Sequence, residues 1–137
     1  MKKRTPVSKI MTKDLISVNL SNDVTDVVDI FKEKNIHHIP VVSGDELIGM
    51  ISKTDIDRIS YVNSYASKAA NAVVYDMLKL EQVMTSELET IQAEDQIKEA
   101  AELLAQGKYH ALPVMEGKKI TGIVTSTDVI KYLLEQF

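Results

Sequence analysis

Apolar residues recur at helical spacing through Val24, Val27, Val28, Ile30 and Phe31. Spacings of three and four residues place such side chains on one face of a helix. The same rhythm returns 73 residues later in Ile97, Ala100, Ala101, Leu103 and Leu104. A polar residue suited to capping precedes each run, Asn22 in one and Asp95 in the other. Each run should stop where the left-handed conformation is tolerated, at Asn35 and at Gly107.

Shorter apolar runs follow each helix. Residues 39–42 and 112–115 read as strands, as do residues 47–52 and 120–125. The turn residues Ser43-Gly44-Asp45 and Glu116-Gly117-Lys118 join them as hairpins. A short extended piece precedes each helix, at residues 16–18 and 90–91, and a last helix begins at Lys53 and at Ser126. The predicted order is β-α-β-β-α, twice.

The repetition is literal. At an offset of 73 residues, Met11-Thr12 falls on Met84-Thr85, His37 on His110, and Pro40-Val41 on Pro113-Val114. Gly49 falls on Gly122 and Thr54-Asp55 on Thr127-Asp128, with no gap between Ile10 and Ile56. A constant offset over this length marks a duplication. One unit cannot cover both faces of a three-stranded sheet, so the expected class is α/β (α+β), with two β-α-β-β-α repeats packed sheet on sheet about a pseudo-twofold axis. Repeat 1 is assigned to residues 1–60 and repeat 2 to residues 81–137. Residues 61–80 form a helical segment between them.

That segment extends a helix begun at Lys53. Over residues 59–80 there is neither Pro nor Gly, and Val62, Tyr65, Ala66, Ala69, Ala70, Val73, Val74, Met77 and Leu78 recur at helical spacing, with a break near Asn71. The alanine-rich stripe suits either a second subunit or the chain's own domain.

Composition narrows the function classes. The chain has 137 residues, 45% apolar and 26% charged, with a net charge of −4, which argues mildly against a nucleic-acid partner. Cysteine is absent, which removes disulfides and thiol chemistry and fits a cytoplasmic setting. No apolar run approaches the ~18 residues of a membrane span, and no signal peptide opens the chain.

The strongest local pattern is a glycine, then a hydroxyl residue three positions on, then an aspartate three positions after that: Gly49, Ser52 and Asp55, repeated as Gly122, Thr125 and Asp128. Two readings stand together. Ser52 or Thr125 caps a helix and Asp55 or Asp128 returns the bond from the third helical position. Alternatively, a helix start with two hydroxyls favours an anion or a sugar, and the fixed carboxylate accepts the hydrogens of a ribose diol.

His37 and His110 suit a phosphate neighbour. His37 and His38 project to opposite faces of a strand and cannot share one ion, and no cluster of further ligands accompanies them, so no metal site is expected. No catalytic residues are expected either, because nucleophile elbow, His-Asp constellation and Gly-rich phosphate loop are all missing.

These segments together resemble a pair of CBS domains, the Bateman module. The resemblance rests on residues 10–18 and 83–91 ("IMTKDLISV" and "VMTSELETI"), on residues 37–42 and 110–115 ("HHIPVV" and "HALPVM"), and on the two glycine-hydroxyl-aspartate segments. It implies a regulatory, non-enzymatic module whose clefts take AMP, ADP, ATP or S-adenosylmethionine. A dimerisation module with empty clefts is the alternative. Carried over, a first cleft uses Thr12, Ile16, Ser17, Ile36, His37, His38 and Pro40 with Thr125, Thr127 and Asp128. A second uses Thr85, Glu89, Thr90, Tyr109, His110, Ala111 and Pro113 with Ser52, Thr54 and Asp55.

The clefts differ in ways that favour the first. Glu89 stands where Ile16 offers apolar contact, and Ala111 replaces His38. Members of the family often carry arginine there, and its absence points to AMP or ADP over a triphosphate. The resemblance further implies a homodimer and an effector protein that receives the signal. No cofactor is required beyond the regulatory nucleotide.

Overall fold

The computed structural model describes residues 4–62 and 75–137. The expected class holds: the protein is a mixed α/β structure. Among the described residues its main helices are α1 (Val24–Glu33), α2 (Lys53–Val62), α3 (Leu80–Val83), α4 (Ile97–Ala105) and α5 (Ser126–Glu135). Its strands are β1 (His38–Ser43), β2 (Glu46–Ser52), β3 (Ile91–Gln92), β4 (Ala111–Glu116) and β5 (Lys119–Thr125). A 3-10 turn, Val7–Lys9, opens the chain. Most of the inter-repeat stripe, Tyr65 to Val74, lies outside the described residues. Residues 75–77 are helical, and the backbone leaves the helix at Leu78 and Lys79.

Two compact units result, and they do not follow the repeat boundaries. One is Ile16–Glu87. The other joins Met1–Leu15 to Leu88–Phe137. The leader before each repeat therefore belongs to the unit of the other repeat.

In the Ile16–Glu87 unit, β1 and β2 form an antiparallel hairpin with His38 opposite Ser52. Val18 bridges Val41 in parallel, and Thr85 bridges Met50 in antiparallel sense. Val24, Val27, Val28 and Phe31 of α1 pack with Ile39, Val41, Ile51, Ile56 and Leu80 into one core. The other unit repeats the plan. β3 runs parallel to β4, and β4 pairs antiparallel with β5. Val7, Ile91, Ala100, Leu104, Leu112, Val114, Val124 and Val129 fill its core. Val7 and Leu80, equivalent in the two leaders, are 0% and 2% exposed. Each leader thus plugs a hydrophobic slot, and burying one such aliphatic side chain contributes about 1.5–3 kcal/mol.

Local chemistry sets the turns. Gly44 and Gly117 take φ of +60° and +63° at the hairpin tips, a region open to glycine at little cost. Gly107 ends its helix at φ +79°, as expected, whereas Asn35 does not enter the left-handed region. The helix caps fall one residue later than Asn22 and Asp95, at Asp23 and Gln96. The reason is the same in both repeats. Asn22 and Asp95 turn back to accept from the backbone N–H of Asn19 and Gln92, at 3.0 and 2.9 Å. That closes the turn before the helix and leaves the next residue to begin it.

Candidate functional site

Among the described residues, no polar or charged side chain is buried. Half-buried polar groups are found at the helix starts after β2 and β5, at Ser52, Asp55, Thr125 and Asp128.

Both capping boxes form. The Asp55 N–H donates to Ser52 Oγ at 3.0 Å, and the Ser52 N–H donates to Asp55 Oδ2 at 2.9 Å. The Asp128 N–H donates to Thr125 Oγ1 at 3.2 Å, and the Thr125 N–H donates to Asp128 Oδ2 at 2.9 Å. One oxygen of each aspartate is thereby committed to the backbone. The other is oriented at the positive end of a helix.

The two aspartates then part company. Asp55 Oδ1 lies 3.8 Å from Arg58 Nη1, one helical turn on. Asp128 has no ion pair among the described residues. Arg58 was not singled out from the sequence, although its i, i+3 spacing from Asp55 is the signal for such a contact.

The hairpins bring the histidine strands to these same corners. In one unit His38 pairs with Ser52, and the Lys53 N–H donates to the His37 carbonyl at 2.8 Å. In the other Ala111 pairs with Thr125, and the Ser126 N–H donates to the His110 carbonyl at 3.2 Å. The strand register thus sets the His-Pro strand of each repeat beside the start of the hydroxyl-x-x-Asp segment of the same repeat.

The leaders supply the threonines. Thr12 and Ile123 exchange backbone hydrogen bonds at 2.8 and 3.0 Å, two residues before Thr125. Thr85 and Met50 do so at 2.9 Å each way, two residues before Ser52. The methionine before each threonine crosses a glycine. A β-carbon at Gly122 would lie 2.5 Å from Met11 Sδ and 3.0 Å from the Thr12 carbonyl oxygen, and one at Gly49 would lie 2.9 Å from Met84 Cγ. The Met-Thr and Gly repeats were visible in the sequence. Their mutual contact was not, because it joins residues far apart in the chain.

The remaining expected residues are placed as follows. Ile16, Ser17, Ile36, His37, His38 and Pro40 belong to the Ile16–Glu87 unit, with Ser52, Thr54, Asp55 and Thr85. Glu89, Thr90, Tyr109, His110, Ala111 and Pro113 belong to the other, with Thr12, Thr125, Thr127 and Asp128. Pro40 and Pro113 are buried in their strands, and the Pro40 carbonyl accepts from the Val18 N–H at 3.0 Å. His37, His110, Thr54 and Thr127 are exposed.

Two concavities are lined by described residues. One of about 190 Å³ is lined by Asp55, Arg58, Ile59, Leu78, Gln82 and Val83. The other, of about 500 Å³, lies between Gln92, Glu94, Asp95, Glu116 and Gly117, and none of the expected site residues lines it. Among the described residues, no group of three or more His, Asp or Glu is arranged to hold a metal ion. No helix among them is long and apolar enough to cross a membrane.

The sequence profile of the CBS domain family matches residues 7–61 and 80–135. The chain belongs to the CBS domain family. It carries two CBS repeats, and solved CBS-domain pairs share its fold. It is 32% identical over 135 residues to a homoserine O-acetyltransferase from Methanohalobium evestigatum. That match spans 97% of this chain but 25% of the transferase, so the name describes a protein about four times longer. Protein MJ1225 from Methanocaldococcus jannaschii superimposes with a TM-score of 0.80 at 24% identity, over 97% of this chain and 49% of that one. The structure of CBSX2 in complex with AMP matches with a TM-score of 0.78 at 25% identity, over 96% of this CBS pair and 97% of that chain.

Proposed function

We propose that this CBS pair is a regulatory module that binds an adenosine-containing nucleotide, AMP or ADP before ATP, with Asp128 as the acceptor for the ribose hydroxyls. The carrying observation is the state of that carboxylate. Oδ2 is pinned by the Thr125 N–H at 2.9 Å, and Oδ1 has no partner among the described residues. A carboxylate fixed in this way accepts a diol without first reorganising, which lowers the entropic cost of binding. Thr12, Thr125, Thr127 and His110 belong to the same unit, and backbone bonds of Thr12 to Ile123 and of Ser126 to His110 bring those two segments near this helix start. The likeness to CBSX2, a CBS pair solved with AMP, supports an adenine nucleotide as the ligand.

In this reading the ligand acts as a signal and leaves unchanged, in keeping with a CBS pair as a regulatory module. The output passes to an effector protein or through self-association as a homodimer. Ile130, Leu133, Leu134 and Phe137 support the homodimer, because they form an exposed apolar stripe at helical spacing along and just beyond α5.

Calorimetric titration with AMP, ADP, ATP and S-adenosylmethionine tests the reading. Saturable binding of AMP is expected. It should weaken at least tenfold in Asp128→Asn, which keeps an acceptor for the cap but loses the charge, and weaken similarly for 2′-deoxy-AMP, since a lost charged hydrogen bond is worth about 1.5–3 kcal/mol. Absence of heat and of thermal shift with all four ligands would overturn it in favour of a purely structural dimerisation module.

A further inference from the structure

The concavity at Asp55 differs in character from the corner at Asp128. Its volume, about 190 Å³, falls below the roughly 300–1,000 Å³ that bury drug-sized ligands. Its occupant is therefore small. Its lining holds one carboxylate, one guanidinium and one carboxamide, against the aliphatic side chains of Ile59, Leu78 and Val83. Asp55 Oδ1 and Arg58 Nη1 stand 3.8 Å apart, an ion pair too long for a good hydrogen bond, so each keeps bonding capacity for a ligand lying alongside. Gln82 Oε1 accepts from the Lys79 N–H at 2.8 Å, which turns the amide nitrogen into the donor left over.

The second repeat shows what a filled version of the same place looks like. Counting by the offset of 73, Tyr132 replaces Ile59 and Thr5 replaces Leu78. The Tyr132 hydroxyl and Thr5 Oγ1 are 3.3 Å apart, so the two walls are tied together. Lys131 and Lys9 stand where Arg58 and Gln82 do, so the planar guanidinium and the amide have no counterpart there.

We propose that the Asp55–Arg58 concavity is a site for a free aliphatic α-amino acid. A cation and an anion side by side, backed by an aliphatic wall, match the two ends and the side chain of such a zwitterion. Arg58 and the Gln82 amide take the α-carboxylate, Arg58 by its two-pronged donor set. Asp55 Oδ1 takes the α-ammonium. Ile59, Leu78 and Val83 cover the side chain. The site lies wholly within the Ile16–Glu87 unit. It is independent of a nucleotide at Asp128, and it assigns Asp55 to a different ligand from its twin.

Calorimetry on the full chain with L-leucine and L-methionine tests this. Isopentylamine, which lacks the carboxylate, and N-acetyl-L-leucine, which lacks the ammonium, serve as controls. Saturable heat is expected from both amino acids and from neither control. Arg58→Gln and Asp55→Asn should each weaken binding at least about tenfold. The double variant Ile59→Tyr, Leu78→Thr, which copies the Tyr132–Thr5 pair of the other repeat, should abolish it while leaving the melting temperature close to that of the parent. Asp128→Asn should leave amino-acid binding intact while weakening AMP. The proposal is overturned if neither amino acid gives heat, or if the controls bind as well. It is also overturned if AMP displaces leucine and Arg58→Gln weakens both, because the concavity would then be part of a nucleotide site.

Discussion

Met11 lies directly across Gly122, with its sulfur 2.5 Å from the point a β-carbon would occupy and the Thr12 carbonyl oxygen 3.0 Å from it. Gly122→Ala must therefore displace backbone as well as a side chain. At Gly49 the nearest atoms all belong to the flexible Met84 side chain. Overpacking of this kind costs about 1–3 kcal/mol. Both alanine variants should melt lower, Gly122→Ala more so. Adding Met84→Ala should recover most of the effect of Gly49→Ala, whereas adding Met11→Ala to Gly122→Ala should recover less. Thermal melts of the four variants check the order.

Removing residues 1–12 takes Val7 out of the second repeat's core and breaks the Thr12–Ile123 bridge. Hydrogen exchange should then speed up at the backbone amides of Val114 and Val124. Those of Ile39 and Ile51, in the other unit, should stay protected. Packing that followed the repeat boundaries would give the opposite pattern.

Ile39→Ala and Leu112→Ala probe the two cores at equivalent, fully buried positions. Each should cost about 2–5 kcal/mol in denaturant titration. Thr125→Ala removes a cap acceptor whose partner, the Asp128 N–H, lies 3.2 Å away, and should cost about 0.5–2 kcal/mol. The core substitutions should thus outweigh the cap.

Asp26 gives a pH signature. The Asp23 N–H, and behind it the Asn22 side chain, hold its carboxyl below the ordinary value of 3.8. A lowered value in the folded state means that the charged form is favoured by folding. Its contribution is complete above pH 3.8 and drains away as the pH falls further, through the lowered value. Asp26→Asn should show a shallower loss of melting temperature on acidification below that point, with little change at neutral pH beyond the weakened cap.

Much of this was legible in the chain itself. Alternating and helical periodicities are local, so β1, β2, β4, β5 and the starts of α2 and α5 fell where the pattern put them. The capping boxes were legible because their partners are three residues apart. The caps of α1 and α4 were misplaced by one residue, because Asn22 and Asp95 can either cap a helix or close the preceding turn, and composition does not separate these uses. The exchange of leaders was invisible for a different reason. Val7 and Leu80 are equivalent apolar residues, and both slots accept an aliphatic side chain, so no local rule says which leader fills which slot. Arg58 escaped notice because an exposed arginine on a helix looks like any solvated charge until a concavity opens beside it.

The traded leaders bear on what half of this protein could be. A single copy of the repeat, cut free with its own leader, carries a plug that in the intact chain sits in its twin, and a slot that its twin's leader fills. Two such copies can restore the native packing by swapping plugs, so the smallest version that keeps this architecture is a couple. Placing both copies on one chain turns that meeting of molecules into an internal handshake that no longer depends on concentration.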